Sequence, residues 1–188
     1  MEKITTKVID NTFISACIKE INSINLLECC SKKYNLSTSS NVYEETKKGF
    51  NRNIVDETYA NIEIIEMKDE AYNEILLWYE DRYPYLHRGE LSSFLLAVLE
   101  YLCKNKRYYY ITDDNRMRKT INNLLEDSIL VEKVGEKITK FNVTGTIGLI
   151  HKLKAIGLLL PNQLEGIIKD LNTSTFYITS KQIEELRR

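Results

Sequence analysis

Four carboxylates stand where an apolar run gives way to a helical pattern. Lys7-Val8-Ile9-Asp10 has the look of a short strand that delivers Asp10 at its C-terminal end, and Tyr108-Tyr109-Tyr110-Ile111-Thr112 is an aromatic, β-branched strand that delivers Asp113 and Asp114. Glu90 opens the clearest helix of the chain, and Gly89 before it removes side-chain bulk. In an open α/β sheet, ligands bind outside the carboxyl ends of the strands, where the chain turns into helices. If the strands bearing Asp10 and Asp113/Asp114 are neighbours, three or four carboxylates converge with no Lys or Arg in the same motifs to neutralise them. Such a cluster repels itself unless a cation is present. Hard oxygen ligands suit Mg²⁺ or Mn²⁺. One such ion, or two at roughly 3.5–4 Å, can activate a water and stabilise the leaving oxygen of a phosphodiester, which is the physical case for a nuclease. Each acid taken singly reads equally well as a helix cap: Asp10 before Asn11-Thr12, Asp113-Asp114-Asn115 as a capping turn, Glu90 as a first-turn acid favoured by the macrodipole. Their joint placement in one crevice is what points to a site.

The elements that must position these acids alternate. After the first strand, Phe13 to Leu27 carries apolar residues at helical spacing. Ser37 to Asn41 reads as a polar connector into Val42 to Lys48, a short strand or a helix start, and Ile62 to Ile65 is a second strand candidate. Residues 49–61 carry no clear pattern. Residues 69–82 form a helix that stops before Pro84. Leu91, Phe94, Leu95, Val98, Leu99 and Leu102 then mark one stripe of a helix. A basic helix runs from about Arg116 to Glu126, Phe141 to Gly145 reads as a last strand, and the helix after it ends at Gly157. Pro161 suits the first turn of the next helix, and Thr179-Ser180-Lys181-Gln182 has capping-box spacing. Strands alternating with helices imply an α/β fold with a mostly parallel sheet covered on both faces. With 188 residues and no internal repeat or Gly/Ser linker, the expectation is a single domain over 1–188, with a C-terminal helical extension from about 161.

Composition excludes several classes. At 43% apolar and 28% charged, with seven Gly and two Pro, the chain is neither collagen-like nor disordered. A formal net charge of −1 supplies no overall attraction for nucleic acid, so any such contact must use local basic patches. Three patches qualify: Lys47, Lys48 and Arg52; Lys104, Lys106 and Arg107; Arg116, Arg118 and Lys119. Cys17, Cys29, Cys30 and Cys103 contain no C-x-x-C pair, and the two histidines lie far apart, so a zinc site is not expected. The amino-terminal residues mix charge and polarity, and no apolar run approaches a membrane span, so the expectation is a reduced, soluble, cytoplasmic protein with no membrane partner.

Taken together and in order, the motifs resemble those of PIN domains. They are Val8-Ile9-Asp10-Asn11-Thr12, His87-Arg88-Gly89-Glu90-Leu91-Ser92-Ser93, Ile111-Thr112-Asp113-Asp114-Asn115-Arg116 and Val143-Thr144-Gly145-Thr146-Ile147-Gly148-Leu149. The last is similar to the branch of toxin ribonucleases with a Thr-Gly-Thr turn, and the resemblance spans about residues 7–180. It implies a three-layer α/β/α sandwich and a Mg²⁺- or Mn²⁺-dependent endoribonuclease. It also implies the toxin of a toxin-antitoxin or defence system, with an antitoxin protein as partner and a homodimer as assembly. Carried over by position, Asp10 is the first metal ligand, Glu90 the second and the Asp113/Asp114 pair the third. A Thr-x-Asp reading selects Asp114; the acid that ends the strand selects Asp113. Many PIN nucleases have a further acid after the third, and here that neighbourhood holds Asn142, Thr144 and Thr146. Arg116 and Arg118, with Thr12, Thr144 and Thr146, are the expected substrate-binding residues. The loop with Tyr79, Tyr83, Tyr85 and His87 could stack unpaired bases beside Glu90, although packing accounts better for most of its rings. The rival to the enzyme is a non-catalytic PIN-like module that binds RNA or protein through a degenerate metal site. A third reading is a phosphohydrolase of small phosphate esters.

Overall fold

The computed structural model describes residues 5–188. Met1 to Ile4, which belong to the amino-terminal stretch read above against a leader, lie outside the described residues. Five strands, β1 (Thr6–Ile9), β2 (Asn35–Ser39), β3 (Ile62–Ile65), β4 (Tyr108–Ile111) and β5 (Val143–Thr144), pair in the order β3-β2-β1-β4-β5. Every pairing is parallel. Parallel neighbours need long crossovers, and helices supply them. These are α1 (Asn11–Lys19), α2 (Leu26–Ser31), α3 (Ser40–Gly49), α4 (Arg52–Tyr59), α5 (Glu70–Arg82), α6 (Arg88–Leu96), α7 (Asn115–Glu126), α8 (Ser128–Val134), α9 (Thr146–Ala155), α10 (Pro161–Thr173) and α11 (Ser180–Arg187). The expected α/β/α sandwich is the observed architecture, with a wholly parallel sheet in the described residues.

Strand alternation divides the core in two. Successive side chains of a strand point to opposite faces, so Val8 joins one cluster and Ile9 the other. Ile9, Leu36 and Ile111 pack with Phe13, Ile150 and Ile167 from α1, α9 and α10. Val8, Tyr108 and Tyr110 pack with Leu76, Phe94 and Leu124 from α5, α6 and α7. The striped helix read from Leu91 to Leu102 is α6 followed by a π-helical segment, Ala97–Leu102.

Three elements differ from the sequence reading. The helix expected from Phe13 to Leu27 is two helices, because Asn25 accepts from the Glu28 amide and starts α2 afresh. The polar stretch read as a connector is β2, an interior strand whose Ser37, Thr38 and Ser39 are buried. Its hydroxyls find partners: Thr38 Oγ1 donates to the Ile9 carbonyl at 2.6 Å, Ser39 Oγ meets Ser92 Oγ at 2.6 Å, and the Tyr101 hydroxyl donates to Ser37 Oγ at 3.0 Å. Polar groups so paired lose little on burial, which is why hydropathy missed the strand. Residues 49–61 hold α4, capped by Asn51 through the Ile54 amide.

Candidate functional site

Strand register brings the first and third acids to one edge. Val8 lies opposite Tyr110 and Ile9 opposite Ile111, and the Asp10 amide donates to the Ile111 carbonyl at 3.1 Å. Asp10 therefore leaves the sheet beside Thr112, one residue before Asp113. There it caps α1: Oδ1 accepts from the Thr12 amide at 2.9 Å, the Thr12 hydroxyl at 2.6 Å and the Phe13 amide at 3.3 Å. Thr12 Oγ1 in turn accepts from the Asp113 amide at 2.9 Å and ties the two strand ends together. Asp10 Oδ2 is different. It is buried with no hydrogen-bond partner, the one side-chain atom in that condition among the described residues. The Thr112 hydroxyl stands near this carboxyl without closing a bond to Oδ2. Burial, with a smaller push from Asp113, raises the Asp10 carboxyl to about 7.

Glu90 is buried in the first turn of α6, and its Oε2 accepts from the His87 amide at 2.9 Å. Burial raises it to about 7 as well, with Asp114 and Glu45 adding negative potential and Arg116 opposing them. Between the two acids stands Tyr110, whose buried hydroxyl donates to the Glu90 carbonyl at 3.3 Å and feels both carboxylates.

Asp113 and Asp114 divide the work. Asp113 caps α9: Oδ1 accepts from the Thr146 amide at 2.9 Å and Oδ2 from the Thr146 hydroxyl. Burial raises this carboxyl above its ordinary value while Thr146 and Arg118 oppose the shift. Asp114 caps α7 through the Met117 amide at 2.7 Å, and its Oδ2 meets only Arg116 at 3.4 Å. Gly145 lets these groups close: a Cβ there would fall 2.5 Å from Asp113 Oδ1 and 2.9 Å from Arg118 Nη1.

One acid went unread in the sequence. Glu45, on α3, accepts from the Gly89 amide at 2.8 Å and lies against the N-terminus of α6 beside Glu90. Gly89 leaves room for this carboxylate, since a Cβ would fall 2.3 Å from Glu45 Oε2 and displace it. The signal available was weak: a Glu44-Glu45 pair in a stretch that reads as either strand or helix. The further acid beside Glu90 thus comes from α3 and not from the β5 end, where Asn142, Thr144 and Thr146 stand.

The substrate-side residues separate too. Arg116 and Arg118 are exposed and line a cleft of about 1120 Å³ together with Thr12, Asp113, Asp114 and Thr144. Thr146 is fully buried and spends its donors on Asp113, so it shapes that carboxyl rather than the cleft. The other basic patches are locally engaged: Lys47 pairs with Glu44, Arg52 with Asp56, and Lys104 and Lys106 with Glu100. In the aromatic loop, Tyr79 and Tyr83 are buried and bond Leu124 O and Asp127, so both are packing residues. Tyr85 is exposed and His87 gives its backbone amide to Glu90.

As the side chains stand, no three His, Cys, Asp or Glu groups among the described residues are gathered closely enough to hold a metal ion. The donors nevertheless suit a hard divalent cation. They are carboxylate oxygens, and the unpartnered, buried Asp10 Oδ2 is the kind of atom a cation satisfies. Asp10, Glu90 and Asp114 are the residues that would hold it: Thr146 holds both oxygens of Asp113, whereas Asp114 Oδ2 meets only the exposed Arg116, at 3.4 Å. Among the described residues no helix is long and apolar enough to cross a membrane.

A family model described as a PIN domain matches residues 7–188. Comparison with curated proteins gives no match, and comparison with solved structures gives none. The family match runs from β1 through α11 and covers the parallel sheet with every acid considered above; the chain belongs to the PIN-domain family, whose fold is of nuclease type.

Proposed function

We propose that this protein is a metal-dependent endoribonuclease acting at the carboxyl edge of β1 and β4. The single observation that carries the reading is Asp10 Oδ2, a buried carboxylate oxygen without a partner at the strand edge that also delivers Asp113. Asp10, Glu90 and Asp114 would hold Mg²⁺ or Mn²⁺, which when bound would supply Lewis acidity toward phosphate oxygens and activate water. Thr12 fixes Asp10 through Oδ1 and leaves Oδ2 toward the ion site, while Asp113 positions the α9 N-terminus through Thr146. Arg116 and Arg118 line the cleft and orient the phosphodiester. Burial raises the Asp10 and Glu90 carboxyls to about 7, so protons would compete with a cation for these oxygens. Cleavage of single-stranded RNA in Mn²⁺ by the wild type, lost in Asp10→Asn protein that keeps its fold, is the expected result. Unchanged cleavage by Asp10→Asn would overturn the assignment.

The role of toxin, checked by an antitoxin protein and working as a homodimer in the cytoplasm, rests on the motif resemblance. Leu77 and Trp78, exposed on α5, give it a surface on which a protein partner could settle. Sedimentation of the pure chain tests the dimer. A second reading, the non-catalytic module, is favoured by one observation: Asp10 Oδ1, Asp113 and Asp114 Oδ1 already serve as helix caps. Calorimetry with Mn²⁺ separates the two, since no heat of binding at millimolar metal favours the module.

A further inference from the structure

The far wall of the cleft is the segment between α10 and α11. Along it Phe176 and Ile178 turn into the core, and Tyr177 turns out with 84% of its surface exposed. The segment is held at both ends. Glu20 on α1 accepts from the Thr175 amide at 3.2 Å and the Thr175 hydroxyl at 2.8 Å, and Thr179 exchanges capping bonds with Gln182 at the start of α11. The anchored backbone fixes where the ring is presented, so binding need not order the segment itself. Tyr177 lines the same cleft as Arg116, Arg118, Asp113 and Asp114. No packing role explains its exposure, and the cleft joins an aromatic face to two exposed guanidinium groups.

We propose that Tyr177 is a substrate-positioning residue that stacks on an unpaired base, so that the cleft takes single-stranded RNA with its backbone on Arg116 and Arg118. The proposal deepens the nuclease reading and rests on it for the location of the scissile phosphate. A base can lie on an aromatic ring only when it is free of its own strand partner, whereas phosphate contacts alone do not distinguish single strands from duplex. Selectivity for unpaired RNA therefore falls to the ring, and affinity for phosphate to the arginines. Of the rings that the sequence offers for stacking, Tyr79 and Tyr83 are committed to the core.

The test uses the full chain and a labelled single-stranded RNA of about twelve nucleotides, within the range of strand-binding site sizes, with its duplex form as control. Binding is read by fluorescence anisotropy without added divalent cation, stacking by quenching of 2-aminopurine in the oligonucleotide, and cleavage separately in Mn²⁺. The expected result is preference for the single strand and quenching by the wild type. Tyr177→Ala weakens single-strand binding about tenfold and abolishes the quench, and Tyr177→Trp restores both. In the cleavage assay Tyr177→Ala raises KM and leaves kcat nearly unchanged. Wild-type affinity and quenching in Tyr177→Ala overturn the proposal, and if Asp10→Asn still abolishes cleavage the nuclease reading survives alone. Loss of the quench in Tyr177→Ala by a protein that never cleaves supports the stacking role and removes the nuclease one. No RNA binding by the wild type overturns the stacking proposal, and no cleavage in Mn²⁺ beside it overturns the nuclease reading as well.

Discussion

Two aspartates are buried among the described residues, and their surroundings are opposite. Asp127, at the junction of α7 and α8, is only 7% exposed, yet every oxygen has a donor. Oδ1 accepts from Trp78 Nε1 at 3.2 Å and the Ile129 amide at 3.3 Å, and Oδ2 from the Tyr83 hydroxyl at 3.3 Å with Arg82 Nε at 3.2 Å. Asp10 is wholly buried, has three donors on Oδ1, and leaves Oδ2 with none. A carboxylate that serves only the fold is satisfied by the fold, because an orphaned buried acceptor costs about 1–3 kcal/mol and more when charged. Asp10 holds back an oxygen at that cost. The contrast separates an acid that joins two helices from one with an oxygen the fold leaves unsatisfied, the oxygen the proposed function assigns to a cation.

Substituting the two residues should split activity from stability. Asp10→Asn is expected to lower RNA cleavage about a thousandfold, equivalent to about 4 kcal/mol of transition-state stabilisation, with no loss of thermal stability. Single-turnover cleavage and a thermal melt on the same preparation measure both. Asp127→Ala should do the reverse. It strands the Trp78 and Tyr83 donors and the Arg82 charge, so a loss of about 2 kcal/mol, or roughly 4–8 °C in Tm, is expected, with cleavage below the transition kept within about twofold. Equal effects of the two substitutions on both readouts would erase the distinction drawn between them.

The acid-ending strands were legible because strand chemistry and capping chemistry are local. Val8-Ile9 before Asp10, and Tyr110-Ile111 before Asp113, announce themselves within a few residues, and the parallel register that brings them together follows from alternation with helices. Glu45 was illegible for the opposite reason: its place beside Glu90 depends on α3 packing against α6, and no local pattern encodes it. β2 was hidden because its hydroxyls are paired across the fold with Ile9, Ser92 and Tyr101, contacts invisible to hydropathy. Periodicity likewise could not tell Tyr79, which bonds Leu124 inside the core, from Tyr177, which faces the cleft. Asp113 and Asp114 were both read as site residues from sequence, and only their hydrogen bonds reveal that Thr146 occupies both oxygens of the first.

The smallest effect sharpens the contrast most, because it isolates the charge on Asp10. A carboxyl raised from 3.8 to about 7 binds more protons in the folded than in the unfolded state between those values. Stability therefore falls as pH rises through that window. The cost is absent below about pH 4, grows between, and is fully present above about pH 7. Glu90, raised to about 7, contributes with the same sign. Asn at position 10 carries no charge to bury, so the Tm of Asp10→Asn should exceed that of the wild type by a few degrees at pH 8 and converge with it near pH 4.5. Millimolar Mn²⁺ should raise the wild-type Tm more at pH 8 than at pH 5, since protons compete with the cation for the same oxygens, and should leave Asp10→Asn nearly unmoved. Parallel melting curves for the two proteins across that range would mean that Asp10 is as well satisfied as Asp127, and the ion site would have to lie elsewhere.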